Sequence, residues 1–189
     1  MISYISAFNK EQGTVANQYG KLVYYKVTPV FKTAATKEEL PSMAPENSNF
    51  LYEDYSTQLH PGDVFYEIAS MEVDVSVRRN KVGTKLVEEF FNRCKPDSVV
   101  LRAGILSKEL YEHLCAQNSL MEYIYTNIVP FWESVGFTDV NHTTFYFEEN
   151  VPMLWPKSAA DEAKRIADDF KKRQTESSNN QEDKTTVFS

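Results

Sequence analysis

One stretch near the middle of the sequence constrains the fold more than any other. It begins with a long apolar and β-branched run over residues 64–75, which predicts a strand, and continues through a short basic turn. Apolar residues then recur at helical spacing from Val82 to Cys94, and Pro96 follows the end of this pattern. Residues 98–103 are a second apolar run that suits a buried strand. Strand, helix and strand in this order predict a right-handed crossover between parallel strands.

Further strand and helix patterns lie on both sides of this unit. Those before it are strands at 1–8 and 22–31, a helix-and-loop segment at 32–49, and a hairpin that joins a strand at 50–55 to the 64–75 strand through a turn at 60–63. Those after it are helices at 107–116 and 120–134 and strands at 137–140 and 143–148. Gly136 suits the left-handed end of the second of these helices.

The 189 residues are enough for one domain and a surplus of about thirty residues. Residues 1–155 carry the alternating strand and helix patterns and form the predicted domain. Residues 156–174 predict a C-terminal helix because apolar residues recur there at helical spacing. Residues 175–189 are polar and without periodicity, which predicts a disordered tail.

Charge and composition argue against several classes of partner. Twenty basic and 27 acidic side chains give a net charge of -7, which is the wrong sign for a surface that neutralises nucleic-acid phosphates. No apolar run approaches the roughly 18 residues that a membrane span needs, and the first residues do not resemble a signal peptide. We therefore expect a cytoplasmic protein with no membrane or nucleic-acid partner. Cys94 and Cys115 suit free thiols, and three isolated histidines predict no metal site.

The basic turn before the central helix suits an anion. Arg78, Arg79 and Lys81 lie where a helix offers unpaired backbone N–H groups and the positive end of its dipole. Gly83 would let a pyrophosphate approach the backbone closely. Alternatively, Gly83 serves close packing of the helix on the sheet, and the basic side chains are only a solvated turn.

A second motif follows about fifty residues later, at the end of a predicted helix. There two aromatic residues and an acidic residue precede Gly136 and Phe137. Together the two motifs resemble those of the GNAT superfamily of acetyl-CoA-dependent N-acetyltransferases, over about residues 50–150. The residues that match are Arg78, Val82, Gly83 and Leu86 in the first motif and Phe131, Gly136 and Phe137 in the second. Lys81 departs from the family pattern where a glycine is usual, and Trp132 departs where a tyrosine is frequent.

The resemblance implies an α/β (α+β) fold with a mixed, mostly antiparallel central sheet, flanking helices and a splayed pair of parallel central strands. It implies transfer of an acetyl group from acetyl-CoA to a primary amine by direct attack in a ternary complex, with no metal. The acidic balance suits a small cationic amine or a protein lysine as acceptor. A homodimer is compatible with this interpretation. The competing hypothesis is a GNAT-fold module with reduced catalysis that binds CoA or a partner protein.

The resemblance also assigns the acetyl-CoA contacts. It assigns the thioester carbonyl to the backbone N–H of Met71 and the pantetheine arm to Val73. The pyrophosphate is assigned to one continuous group, which consists of Arg78, Arg79, Asn80, Lys81, Val82, Gly83 and Thr84. An N–H aimed at the oxyanion would stabilise the tetrahedral intermediate.

Two carboxylates and two aromatic side chains are the remaining candidates. Glu67 lies 11 residues before Arg78 and is the predicted general base, whereas Glu72 is the rival base and a substrate-binding candidate. Each carboxylate could equally be a structural strand residue. Strict alternation predicts that Glu67 shares a face with residues 69, 71 and 73. Tyr125, seven residues before Trp132 and thus on about the same helix face, is the candidate acid, although it could equally be a core aromatic residue. Trp132 is a candidate wall of the acceptor site.

Overall fold

A single mixed sheet organises the part of the chain that the structure describes. The computed structural model describes residues 1–48, 59–140 and 149–182. Its strands are β1 (Ile2–Asn17), β2 (Gly20–Ala34), β3 (Phe65–Val73), β4 (Val99–Ala103), β5 (Thr138–Asp139) and β6 (Val151–Trp155). They lie in the order β1-β2-β3-β4-β6-β5. Among these strands β3 and β4 are parallel, and every other neighbouring pair is antiparallel.

Helices cover both faces of the sheet. They are α1 (Val82–Cys94), α2 (Lys108–Ala116), α3 (Leu120–Asn127), α4 (Val129–Ser134) and α5 (Lys157–Glu182), with a 3-10 turn at Val75–Val77. Helices α1, α2, α3 and α4 pack on one face of the sheet and share one apolar core with it. The start of α5 packs on the other face through Ala160 and Ala163, which belong to a second core. The α/β class and the mostly antiparallel sheet with one parallel pair are therefore confirmed.

The parallel crossover is confirmed as well. The chain passes from β3 through α1 into β4, and these two strands pair in parallel. Helix α1 forms because its apolar side chains repeat at helical spacing, and it buries Leu86, Val87 and Phe90 against the sheet. The crossover brings the basic turn between β3 and α1 to the end of the sheet at which both parallel strands terminate.

The N-terminal hairpin is longer than its apolar pattern predicts. Strands β1 and β2 pair over almost their whole length, including the polar stretch between the two predicted strands. Gly13 permits this pairing because the Tyr24 ring lies over it, and a Cβ at Gly13 would overlap that ring. Strand β3 pairs with β2, and the strand predicted at 50–55 lies outside the described residues.

The segment after β2 differs from its prediction. Residues 35–48 contain turns and an isolated bridge between Ala7 and Glu46, with no helix. Pro41 and Pro45 explain this difference, because each lacks the backbone N–H that a helix interior needs. The turn predicted at 60–63 is confirmed by the bond from the Asp63 N–H to the His60 carbonyl.

Two predictions in the last third of the chain need correction, and one strand was missed. The helix predicted at 120–134 is two helices, because Ile128 has φ -107° and Pro130 starts a new helix. Strand β6 was not predicted, since its residues are nearly all buried and show no alternation. Helix α5 continues beyond residue 174 to Glu182, because a helix can propagate without apolar periodicity. The strand predicted at 143–148 and the tail at 183–189 lie outside the described residues. No helix of the described ranges is long and apolar enough to cross a membrane.

Candidate functional site

A β-bulge in β3 marks an opening between the two parallel strands. On β2, Tyr24 pairs with Ile68 and the adjacent Val23 pairs with Ser70, so Ala69 is the extra residue. The pairing of β3 with β4 ends at Ile68 and Leu101, although both strands continue. A bulge bends its strand and increases the local twist. The second half of β3 therefore has an edge that β4 does not cover, which we call the gap.

The bulge determines which backbone groups point into the gap. The Tyr66 N–H donates to the Ser98 carbonyl at 3.0 Å, so Tyr66 directs its polar backbone groups toward β4. Residues of one strand whose side chains share a face also direct their N–H and C=O groups to the same edge. Met71 and Val73 pack in the same core as Tyr66 and Ile68. The N–H groups of Met71 and Val73 consequently face the gap.

The same bulge overturns the predicted alternation along β3. Strict alternation predicts that Glu67 shares a face with Met71 and Val73. In the structure Met71 and Val73 pack with the core under α1, whereas the neighbour of Glu67 on its own face, Phe65, belongs to the core under α5. The prediction is wrong because one extra residue at Ala69 reverses the phase of the strand.

The loop from β3 to α1 is basic and strained. Asp74 accepts bonds from the hydroxyl and the N–H of Ser76 at 2.7 and 2.8 Å, and these bonds lower the pKa of Asp74. Arg79 and Lys81 have φ angles of 74° and 58°, in the left-handed region that favours glycine. Among the described residues, no carboxylate forms an ion pair with Arg78, Arg79 or Lys81. The loop is thus a local positive region in a protein of net negative charge.

Helix α1 begins in this loop without a side-chain cap. Lys81 is the N-cap residue, and its carbonyl accepts the first intrahelical bond, from the Lys85 N–H at 3.0 Å. The N–H groups of Val82, Gly83 and Thr84 therefore have no partner inside the helix. Unpaired amides at the positive end of a helix dipole, next to exposed cations, suit a phosphate.

Gly83, in the first sequence motif, lies against the second motif and against β3, the strand beside the gap. A Cβ on Gly83 would lie 3.2 Å from Cζ of Phe131 and 3.3 Å from Cε of Met71. The close packing that was one interpretation of Gly83 therefore exists, with a partner in α4 as well as one in the sheet. Because Gly83 is also among the first residues of α1, it combines this packing role with an unpaired amide at the loop.

Glu67 lies on the opposite face from this cluster. It is 8% exposed, and its Oε2 is 3.2 Å from Nζ of Lys10. The Lys10 ammonium also lies 5.5 Å from the centre of the Tyr25 ring, at a distance typical of a cation–π contact. Glu67 is opposite Val100 on β4, one residue before the last parallel pair. Its backbone is therefore adjacent to the start of the gap.

Glu72 has a different environment. Its carboxylate is 3.4 Å from Nζ of Lys21, and the side chains of both residues are at least half exposed. An exposed ion pair of this kind contributes at most about 1 kcal/mol. Glu72 is consequently a surface residue on the far half of β3, whereas Glu67 is a buried one.

Tyr125 and Trp132 do not share a helix face. The seven-residue spacing assumed one helix, but the chain breaks at Ile128, and this prediction is wrong. Tyr125 is 40% exposed, while Trp132 is 6% exposed and packs edge-on against Phe131 and Phe137. Trp132 thus has the environment of a core residue.

The end of α4 confirms the prediction for Gly136. Its φ angle is 99°, and its N–H donates to the Glu133 carbonyl at 3.0 Å. The Phe137 N–H donates to the Trp132 carbonyl at 3.0 Å, which completes a Schellman motif. This helix end holds Phe137 against Trp132, so the second motif stabilises the packing of the core around Phe131.

Lys10 is the site residue that the sequence analysis missed. It is 57 positions from Glu67, and only the pairing of β1 with β2 and of β2 with β3 brings the two together. One signal was available: Lys10 has the same strand phase as Phe8, which is fully buried. A lysine in this phase can extend along the apolar face toward an acidic side chain of a neighbouring strand.

No protein-family model matches the sequence, and comparisons with curated proteins and with solved structures give no match. Among the described residues, no group of three or more His, Cys, Asp or Glu side chains could hold a metal ion. The interpretation of the site therefore depends on its own geometry.

Proposed function

We propose that the chain is an N-acetyltransferase that transfers the acetyl group of acetyl-CoA to a primary amine by direct attack in a ternary complex. The gap beside Ala69 is the observation that carries the proposal, because the Met71 and Val73 N–H groups face a strand edge that β4 does not cover. An extended, amide-containing arm such as pantetheine can bond to such an edge as a further strand would. The basic loop that suits a pyrophosphate follows the same strand directly.

The anionic half of CoA matches the loop in charge and in hydrogen bonding. Arg78, Arg79 and Lys81 are exposed cations, and the first amides of α1 are donors that need an acceptor. Asn80 and Thr84 add further polar groups beside them. A ligand with a phosphate group at one end and a thioester at the other would span from the loop to the gap.

The chemical step needs an oxyanion donor and a proton acceptor. The amine nitrogen forms a bond to the thioester carbon, and the C–S bond then breaks to release the CoA thiolate. The Met71 N–H stabilises the oxyanion between these events. Glu67 accepts the proton that the nitrogen loses, and the thiolate takes a proton from solvent or from the exposed Tyr125 hydroxyl. Atoms and charges balance without a metal or a redox partner.

Glu67 suits the role of base better than Glu72 does. In this proposal the amine approaches the thioester at the gap from the face of the sheet opposite α1. Glu67 lies on that face and is buried, whereas Glu72 is exposed. Because each carboxylate pairs with a lysine, burial is the difference between them. Acceptors with one accessible primary amine, either a small cationic amine or a protein lysine, fit this proposal.

One observation favours the second candidate, a CoA-binding module with little or no catalysis. Trp132 replaces the tyrosine that the resemblance leads us to expect, and it is buried among aromatic side chains. An indole N–H cannot donate a proton near neutral pH. This module would bind CoA in the same loop and gap but would release no thiol.

Calorimetry with CoA and a thiol-release assay with acetyl-CoA, amines and basic peptides separate these functions. Binding with thiol release supports the acetyltransferase, binding without release supports the module, and no binding excludes both. Gly83→Glu should abolish CoA binding because it adds a carboxylate beside the free amides. Arg79→Ala should weaken binding most at low salt, whereas Arg165→Ala, on the exposed side of α5, should leave it unchanged.

A further inference from the structure

Two exposed apolar side chains lie beside the basic loop. Tyr19, in the turn between β1 and β2, is 43% exposed, and Val75, at the start of the loop, is 72% exposed. The two residues are far apart in the sequence, but the Asp74 N–H donates to the Tyr19 carbonyl at 2.8 Å and brings them together. Single exposed apolar residues are ordinary on a protein surface, whereas neighbouring ones mark a place that a ligand can cover. We call Tyr19 and Val75 the apolar patch.

Hydrogen bonds fix the backbone under the apolar patch. The Tyr19 N–H donates to Asn17 Oδ1 at 2.8 Å, so both polar backbone groups of Tyr19 have partners. At Val75 the chain makes a 3-10 turn that Asp74 caps, and the Val75 carbonyl accepts from the Arg78 N–H at 3.4 Å. The patch is therefore held within one turn of Arg78, the first cation of the basic loop.

The apolar patch and the gap lie on opposite edges of β3. The Asp74 N–H points toward β2, where it meets Tyr19. The Val73 carbonyl points to the other edge, beside the gap, and accepts from Arg78 Nε at 3.4 Å. A ligand that leaves the gap and continues toward β2 therefore passes Arg78 before it reaches the patch.

The turn that carries Tyr19 also contacts helix α1. A Cβ on Gly20, the next residue, would lie 3.2 Å from Cδ1 of Leu86. Leu86 is about one helical turn, roughly 5 Å along the axis, beyond the first residue of α1. The apolar patch consequently lies close to the amides at the start of α1 that suit a pyrophosphate.

Charge and apolar surface together identify the occupant. The basic loop carries three exposed cations that form no ion pair with a described carboxylate. The Asp74 carboxylate beside the patch accepts two bonds from Ser76. A purely apolar partner would leave the cations of the loop without counter-charge. A nucleotide supplies both halves, because its base stacks on an aromatic ring and its phosphates pair with cations.

We propose that the apolar patch binds the adenosine end of CoA, with the base against Tyr19 and Val75, and that the chain thereby selects an acyl donor that carries a nucleotide. This inference rests on the proposed binding of acetyl-CoA to the gap and the basic loop. A pantetheine arm with one phosphate would occupy the gap and the loop but would leave the patch in water. A donor that carries this arm on a protein offers no base to the patch and should be a poor substrate.

Calorimetry with three probes tests the inference. The probes are CoA, phosphopantetheine, which lacks the adenosine end, and adenosine bisphosphate, which lacks the pantetheine arm. CoA should bind at least about tenfold more tightly than phosphopantetheine. Tyr19→Ala should weaken the binding of CoA and of adenosine bisphosphate about tenfold, and should change that of phosphopantetheine by less than about twofold. Tyr19→Phe keeps the ring and should keep the affinity for CoA.

Met43→Ala is the matched control. Met43 is also exposed, but the bridge between Ala7 and Glu46 places its segment far along the β1–β2 hairpin from the turn at Tyr19. Its CoA affinity should equal that of the wild type. Val75→Ser should weaken CoA binding about two- to threefold, because it removes apolar contact area. Thermal denaturation verifies that each variant is folded.

Several results would overturn the inference while the acetyltransferase stands. A folded Tyr19→Ala variant with wild-type CoA affinity would show that the base stays in water. Equal losses for CoA and phosphopantetheine would show a general disturbance of the loop. Faster thiol release from an acetylated carrier protein than from acetyl-CoA would make the patch a protein-docking surface.

The proposed function fails in a different way. If the wild-type chain binds no CoA, the function and the inference fail together. If it binds CoA without releasing thiol, the acetyltransferase is refuted, whereas the selective loss of CoA binding in Tyr19→Ala would still support the apolar patch as the adenosine site.

Discussion

Gly83 and Phe131 lie so close together that a Cβ on Gly83 would be 3.2 Å from the Phe131 ring. They belong to motifs that are far apart in the sequence, at the start of α1 and within α4. Met71 completes the contact from the gap strand, since its methyl group would lie 3.3 Å from the same Cβ. The basic loop, the gap and the second motif therefore meet in close packing at Gly83.

Side chains of increasing size at Gly83 should reveal this connection. Gly83→Ala gains up to about 1 kcal/mol of helix propensity, which offsets the tight contact, so the free energy of unfolding should change little. Gly83→Val forces Phe131 and Met71 to move and should cost about 1–3 kcal/mol. Urea denaturation measures both effects.

Phe131→Leu supplies the control for the Gly83 series. Because it creates space at the contact, Gly83→Val should cost at least about 0.5 kcal/mol less in the Phe131→Leu background than alone. Additive losses in the two variants would show that Gly83 and Phe131 are not coupled.

Lys81→Gly should stabilise the chain and weaken CoA binding together. Lys81 has a left-handed backbone, so glycine relieves strain and should gain about 0.5–1 kcal/mol in the free energy of unfolding. The substitution also removes a cation from the proposed phosphate loop, and CoA affinity should fall about three- to tenfold at low salt. Denaturation and calorimetry measure the two effects separately.

Lys95 provides a matched control for Lys81. It has φ 45° and ψ 54° at the other end of α1, so Lys95→Gly should relieve similar strain. Because it is remote from the loop, CoA affinity should not change. A fall in affinity with both variants would indicate a general effect of α1 rather than a contact at Lys81.

Tyr24 should make stability sensitive to alkaline pH. The pKa of Tyr24 is raised from 10.0 to about 12. The largest cause is a hydrogen bond with Cys94, and burial is the second. Between these values the folded chain binds more protons than the unfolded chain, so the free energy of unfolding falls as the pH rises from about 10 to about 12. The contribution is fully present below pH 10.

Denaturation at a series of alkaline pH values tests this effect. Tyr24→Phe keeps the ring that packs on Phe90 but should reduce the fall in stability across this window. Cys94→Ala should also reduce it, because it removes the largest cause of the shift. Tyr4→Phe is the control, and an equal reduction in this variant would refute the assignment to Tyr24.

The sequence was sufficient to predict elements whose signal is local. The apolar period of α1 and the left-handed end at Gly136 each depend on residues within a few turns, and both are confirmed. Strand β6 escaped prediction because a short, fully buried run has no period. The helix break at Ile128 escaped because Pro130 is compatible with the first turn of a helix.

The candidate site was harder to predict because its geometry depends on pairing between strands. The bulge at Ala69 is visible only when β3 is aligned with β2, and it reverses the face on which Met71 and Val73 lie relative to Glu67. The ion pair of Glu67 with Lys10 requires three strands in register. By contrast, the basic loop was predictable because its residues are contiguous.

Deletion of Ala69 tests the origin of the gap. Without Ala69, regular alternation would still place Ile68 and Met71 on the same face, because one residue, Ser70, would separate them. The core contacts of both side chains should therefore survive, and urea denaturation should show a free energy of unfolding equal to or higher than that of the wild type. The bend, however, should disappear, and β3 should continue its pairing with β4 beyond Leu101.

A closed gap should lower CoA affinity by about tenfold or more, which corresponds to about 1.4 kcal/mol. Ala69→Ser keeps the residue count and the bulge, so its affinity should equal that of the wild type. If the deletion variant is folded and binds CoA normally, the pantetheine arm does not lie along β3. If Ala69→Ser loses affinity as well, the side chain at this exposed position matters rather than the bulge. If the deletion variant keeps the wild-type free energy of unfolding but loses CoA affinity, the bulge is a feature maintained for binding, since folding does not require it.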